Sequence, residues 1–153
     1  MKLSLISVGK PKGPLAPAIL DYETRVSRYF GFDSIAVGAG KGSPAETRVD
    51  EGERLLSRLP TGARVYALTR LGDQCSSLDL ASQFEDLSTY GPAAAAFLIG
   101  GAFGLGENVL QEADRKFSLS DMTLPHELAR LVLLEQLYRA GTIIRIDIEA
   151  GVI

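Results

Sequence analysis

Two stretches of the chain carry residue types and spacings that could do chemistry. The first is Gly100-Gly101-Ala102-Phe103-Gly104-Leu105-Gly106, with four glycines in seven residues. It follows a continuously apolar run, Ala93 to Ile99, and precedes a helical pattern that starts near Glu107. In parallel sheets, ligands bind outside the carboxyl ends of strands, where such loops gather. Glycine lets backbone approach a ligand closely and tolerates positive φ. The start of the following helix offers unpaired amide hydrogens. The second stretch is Phe117-Ser118-Leu119-Ser120-Asp121-Met122-Thr123-Leu124-Pro125-His126. Its hydroxyls and free backbone groups can hydrogen-bond a purine edge, and Met122 and Leu124 can form apolar walls, the mix a small-molecule pocket requires. The same stretch also reads as a helix entry, with Pro125 in the first turn and Thr123 or Ser120 as the cap.

The glycine segment is not a dinucleotide fingerprint. That motif needs G-x-G-x-x-G at the first strand-to-helix turn. Here Gly104-x-Gly106 runs into Asn108 and Val109, and the segment follows the fourth predicted strand. Gly-Lys-Ser/Thr, the core of a triphosphate loop, does not occur. Both mismatches point to a ligand without a pyrophosphate and count against a nicotinamide-dependent dehydrogenase. His126, the single histidine, either meets substrate as a base or bonds backbone at a helix entry. Arg139, four residues after Glu135, either binds phosphate and raises the acidity of a target base or forms a surface ion pair. Cys75 sits in a polar loop without a neighbouring histidine, so it is not read as a nucleophile.

These loops must be held by an alternation of strands and amphipathic helices, the signal of an α/β sheet. Lys2 to Val8 alternates polar and apolar residues and reads as the first strand. A helix follows from about Leu15 to Tyr29, with Ile19, Tyr22, Val26 and Tyr29 on its apolar face. Ser34 to Val37 is a second strand. Ser43-Pro44-Ala45-Glu46 is a capped helix start, and that helix is expected to reach Leu59. Arg64 to Thr69 reads as the third strand, Arg70 to Ser77 as a polar loop, and Leu78 to Leu87 as a helix. Ala93 to Ile99 is the buried fourth strand. A helix from about Glu107 to Arg115, a short strand Phe117 to Leu119, and a last helix from His126 to Ala140 complete the pattern. Gly141 is expected to end that helix, leaving Thr142 to Ile148 as an extended, β-prone tail.

Composition sets the outer limits. With 153 residues, 46% hydrophobic and 23% charged, the chain suits one globular domain spanning 1–153. No stretch approaches the roughly 20 apolar residues of a membrane span, and the opening residues lack the pattern of a secretory signal. A single cysteine excludes an internal disulfide framework, and one cysteine with one histidine gives no zinc set, so no metal is expected. The formal charge of -3 argues against coating nucleic acid by bulk positive charge. Lys10, Lys12, Arg25, Arg28 and Lys41 could still form a local RNA-facing patch or be plain solvated surface. The expected setting is a soluble, cytoplasmic protein without membrane partners.

Several motifs together resemble a known family. Leu98-Ile99-Gly100-Gly101 with Gly104, then Ser118 to His126, then Glu135-Gln136-Leu137-Tyr138-Arg139-Ala140 look like the SPOUT-class methyltransferases of the RlmH type. The opening Met1-Lys2-Leu3, Val8-Gly9, the length and the order of elements fit as well. The resemblance covers nearly the whole chain and is most specific from Phe97 to Ala140. It implies a mostly parallel α/β sheet flanked by helices, with a C-terminal trefoil knot, in a homodimer. It implies S-adenosyl-L-methionine as cofactor and, as reaction, methylation of a ring nitrogen of a pseudouridine in large-subunit ribosomal RNA. Carried over by position, the cofactor contacts are Leu68, Gly100, Gly101, Leu119, Ser120, Asp121, Met122, Thr123 and Leu124, mostly through backbone. His126 and Arg139 are the catalytic candidates. A branched side chain at Gly101 is expected to fill the cofactor's place.

The chain departs from the family at its end. Members usually close with a polar tail holding Pro-Tyr-His and a basic residue, which contributes to the active site. Here Arg145 to Ile153 has no tyrosine or histidine, and Gly141 stands where tryptophan is common. This leaves a second expectation open, a dimer that binds S-adenosylmethionine but has lost or altered its activity.

Overall fold

The computed structural model describes residues 1–149. Five parallel strands form one sheet in the order β2-β1-β4-β3-β5. The strands are β1 (Lys2–Val8), β2 (Gly31–Val37), β3 (Arg64–Asp73), β4 (Ala94–Ile99) and β5 (Arg115–Phe117). The helices are α1 (Ala16–Val26), α2 (Pro44–Leu56), α3 (Ser77–Tyr90), α4 (Glu107–Glu112) and α5 (His126–Glu149).

Strand periodicity explains why both faces are covered. Along a strand, successive side chains point to opposite faces. Leu3 and Leu5, Tyr66, and Ala95, Phe97 and Ile99 face one way and pack with Ile19, Phe84, Leu133 and Leu137 of α1, α3 and α5. Ile6 and Val8, Val65 and Ala67, and Ala96 and Leu98 face the other way, against Leu55 of α2 and Val109 of α4. Phe97 anchors the first layer: it stacks on Tyr66 at 4.5 Å and meets Phe84 and Phe117 edge-on at 6.1 Å. The apolar run from Ala93 is thus a strand buried on both sides, as its lack of alternation indicates.

Several boundaries differ from the sequence reading: β2 starts at Gly31, before Ser34, α1 and α2 stop at Val26 and Leu56, short of Tyr29 and Leu59, and α3 runs on to Tyr90, past Leu87. The loop expected at Arg70 begins instead inside β3, which continues to Asp73. Leu68 and Asp73 both pair with Phe117, so the intervening residues bulge, and polar side chains there stay exposed on the strand's outer end. Gly72 permits this, because a Cβ there would lie 2.5 Å from the Lys116 carbonyl carbon. The fifth strand is Arg115–Phe117, earlier than Phe117 to Leu119, and α4 stops at Glu112.

The largest correction concerns the C-terminus. Gly141 does not end the last helix, and Thr142 to Ile148 is not extended: α5 runs on to Glu149. Packing overrides local propensity here. Gly141 is buried, and a Cβ there would sit 2.6 Å from Cγ of Tyr29, so the Tyr29 ring fills the space a larger residue would take. Tyr29 in turn packs on Tyr138 at 5.7 Å, and Ile143 and Ile144 join the same core. Residues 150–153 of the atypical tail lie outside the described residues.

Candidate active site

The carboxyl ends of β1, β3, β4 and β5 gather on one edge of the sheet, and two neighbouring cavities open there. The larger has a volume of about 620 Å³. Its floor is the glycine loop after β4, its wall the end of β3 at Leu68, Thr69 and Arg70, and its opposite side the loop from Leu119 to Pro125 with His126.

The glycine loop is a small closed hairpin. The Gly104 amide donates to the Gly101 carbonyl at 3.1 Å, and Gly104 has φ +76°. Gly100 has no room for a side chain, since a Cβ would lie 2.6 Å from the Gly104 carbonyl carbon and 2.9 Å from the Leu105 nitrogen. The second loop is fixed from below. Ser118 is 2% exposed, and its hydroxyl lies 3.0 Å from the Arg70 carbonyl and 2.9 Å from the Ser120 carbonyl, joining the end of β3 to the loop. Ser120 Oγ then accepts from the Met122 amide at 3.0 Å, turning the chain. Arg130 on α5, 2% exposed, donates from Nη2 to the Gly9 carbonyl at 2.9 Å and ties the end of β1 to α5. Burial lowers its pKa, offset in part by Glu127 and Glu23.

Of the residues singled out in the sequence, Leu68, Gly100, Gly101, Leu119, Ser120, Met122, Thr123 and Leu124 line the larger cavity. Asp121 does not: its Oδ1 accepts from Gln74 Nε2 at 2.7 Å, outside the cavity. His126 lines both cavities, with Nε2 3.5 Å from Glu127 Oε1. Arg139 lines neither. It pairs with Glu135 at 2.7 Å on an exposed face of α5, and that bond raises its pKa. Among the basic residues of the N-terminal third, Arg25 is engaged by Asp21 at 3.0 Å and lies over the Tyr22 ring at 4.8 Å, while Lys10 and Lys12 stand at the smaller cavity.

Sequence reasoning missed the smaller cavity, of about 400 Å³, where Gly9 to Lys12 face Gly40, Glu51, Phe103 and Glu127. It shares Gly101, Ala102 and His126 with the larger one. Gly101 also points differently from expectation. A Cβ there would meet Glu51 Oε1 at 3.0 Å and Val8 Cγ1 at 3.2 Å, not the interior of the larger cavity. The only sequence signal for Glu51 was a carboxylate within the buried face of an amphipathic helix.

This parallel sheet and this pair of loops lead to a class of methyltransferase. The chain belongs to the SPOUT methyltransferases: residues 1–147 match the family described as "Predicted SPOUT methyltransferase". It is 44% identical over 149 residues to the ribosomal RNA large subunit methyltransferase H of Gemmatimonas aurantiaca, covering 95% of this chain and 96% of that protein. It is 40% identical over 153 residues to the protein of the same name from Bacillus pumilus, covering 95% and 96%. In fold it is similar to a solved structure concerned with 2-OH methylation of C/U34 on tRNA, with TM-score 0.52, 21% identity, and coverage of 92% of this chain and 97% of that one.

Proposed function

We propose that this methyltransferase uses S-adenosyl-L-methionine to methylate a ring nitrogen of a pseudouridine in large-subunit ribosomal RNA. The observation that carries the reading is the cavity of about 620 Å³ between the glycine loop and the Leu119 to Pro125 loop, in a chain about 40% identical to proteins named as ribosomal RNA large subunit methyltransferases. The volume is in the range of small-molecule sites. Its walls suit a purine nucleoside: apolar Leu68, Ile99, Leu119 and Leu124 could cover the ring faces, and loop backbone could meet its edge and the ribose. When bound, S-adenosylmethionine supplies a methyl carbon activated by a sulfonium.

The chain's own part is positional. The Gly100 to Gly104 hairpin and the Ser118-anchored loop fix two sides of the cavity, and alignment of reactants is the main rate term available to such a site. His126, on the boundary of the two cavities, is placed to meet the substrate. Arg139, held by Glu135 away from both, reaches a substrate only across a subunit boundary. The reading includes the C-terminal trefoil knot that the family resemblance implies, with β5 seated beside β3 at the edge of the sheet. It includes a homodimer, supported by the exposed Leu71, Leu78 and Met122 on segments linked by the Gln74–Asp121 hydrogen bond. It also includes a cytoplasmic setting as a single domain; no helix among the described residues is long and apolar enough to cross a membrane.

The test is methyl transfer from labelled S-adenosylmethionine to ribosomes from a strain lacking its own enzyme of this kind. Nuclease digestion and mass spectrometry should find one N-methylated pseudouridine in the large-subunit RNA. Cofactor binding with no transfer to any ribosomal substrate would overturn the reading and favour a binding-only dimer.

A further inference from the structure

The smaller cavity contains a buried carboxylate that the larger site does not use. Glu51 is 4% exposed. Its Oε2 accepts from the Gly40 amide at 3.1 Å, while Oε1 is buried without a hydrogen-bond partner. That oxygen lies where a Cβ on Gly101 would approach within 3.0 Å, so it borders the wall that the two cavities share. A carboxyl oxygen accepts hydrogen bonds, and leaving a buried acceptor unmade is destabilising. A group kept in that state beside a cavity is poised for a donor brought by a ligand. The rest of the cavity suits a nucleotide base: Phe103, Val8 and Pro11 give apolar surface, and Lys10 and Lys12 stand at exposed positions that could meet backbone phosphate.

We propose that the smaller cavity receives the target base and that Glu51 Oε1 accepts a hydrogen bond from one of its ring N–H groups. A uracil-type ring with free N–H groups fits this acceptor; a ring offering only acceptors at that edge is repelled. The inference rests on the methyltransferase reading above, and it adds a base-recognition residue from α2, outside both loops.

The test uses Glu51→Gln, which preserves shape and can still accept from Gly40 but presents an amide N–H₂ in place of one carboxylate oxygen. Affinity for S-adenosylhomocysteine, measured by calorimetry, should stay within twofold of the unaltered protein. Methyl transfer to ribosomes should fall by about 10- to 100-fold in kcat/KM, the range for losing a buried hydrogen bond and leaving its partner unpaired. A second readout needs no variant: in the unaltered protein with S-adenosylhomocysteine, millimolar pseudouridine 5′-monophosphate should shift the Gly40 amide proton resonance, because Gly40 reports on the same carboxylate. If Glu51→Gln transfers methyl groups at the normal rate, or the Gly40 resonance does not move, the proposal is wrong. If cofactor affinity and thermal stability fall together with activity in that variant, Glu51 is a structural prop and the proposal is also wrong. Failure of the unaltered protein to bind S-adenosylhomocysteine at all would instead strike the methyltransferase reading itself.

Discussion

Gly100→Ala is the sharpest single perturbation of the glycine loop. The added methyl would stand 2.6 Å from the Gly104 carbonyl carbon, 2.7 Å from its oxygen and 2.9 Å from the Leu105 nitrogen. Comfortable separation is about 3.5–4.0 Å, so the hairpin must open by nearly 1 Å. All three neighbours are backbone, and the hairpin is closed by the Gly104–Gly101 hydrogen bond, so no side chain can swing aside. Overpacking of this kind costs about 1–3 kcal/mol. If the binding shape of the loop is the strained one, the same energy appears in affinity, as about a 5- to 150-fold rise in Kd for S-adenosylhomocysteine. Isothermal titration calorimetry reads the affinity, and circular dichroism with thermal melting reports whether the variant is folded. A folded Gly100→Ala protein with unaltered affinity would refute the claim that this hairpin shapes the cofactor cavity.

Three further outcomes follow from the packing and the charges. Gly141→Ala should destabilise the protein by about 1–3 kcal/mol, although alanine ordinarily favours helix over glycine, because its methyl meets Cγ and Cβ of Tyr29 at 2.6 and 2.7 Å; adding Tyr29→Gly, which removes both atoms, should recover part of the loss in a denaturant-melt double-mutant cycle. Glu46 has its carboxyl held below the ordinary 4.5, chiefly by the Ser43 side chain and then its backbone, so its contribution to stability is fully present above pH 4.5 and is lost as pH falls through the lowered value. Ser43→Ala should therefore lower Tm by about 2–4 °C at neutral pH, and the gap between the two proteins should narrow as the pH drops below 4.5. Reversing Lys10 and Lys12 to glutamate should leave calorimetric cofactor affinity unchanged and weaken ribosome methylation most at low salt; an unaffected rate would exclude this rim as an RNA contact.

The sheet was legible because its strands carry clear signals. Alternation marked Lys2 to Val8, and continuous apolarity marked the fourth strand one residue from its observed start. The Ser43-Pro44-Ala45-Glu46 start is a capping box in which the Glu46 amide donates to Ser43 Oγ at 3.2 Å. Long-range packing was not legible. Gly141 reads locally as a helix stop, and only the Tyr29 ring across the helix interface shows why the helix continues. The polar residues from Arg70 to Asp73 conceal a bulged strand end, because pairing with β5 depends on a partner more than 40 residues away. In the site, the two loops were visible as composition, but Glu51 was not. Its role follows from which face of α2 is buried and from a cavity formed by five separate stretches of chain.

The most direct measurement is a crystal structure of the protein with S-adenosylhomocysteine. The account predicts the adenosyl group between the Gly100 to Gly104 hairpin and the loop from Leu119 to Leu124, against Leu68, with the sulfur directed toward the wall shared with the Glu51 cavity. Density for the ligand elsewhere on the chain, or no binding at millimolar ligand, would contradict it.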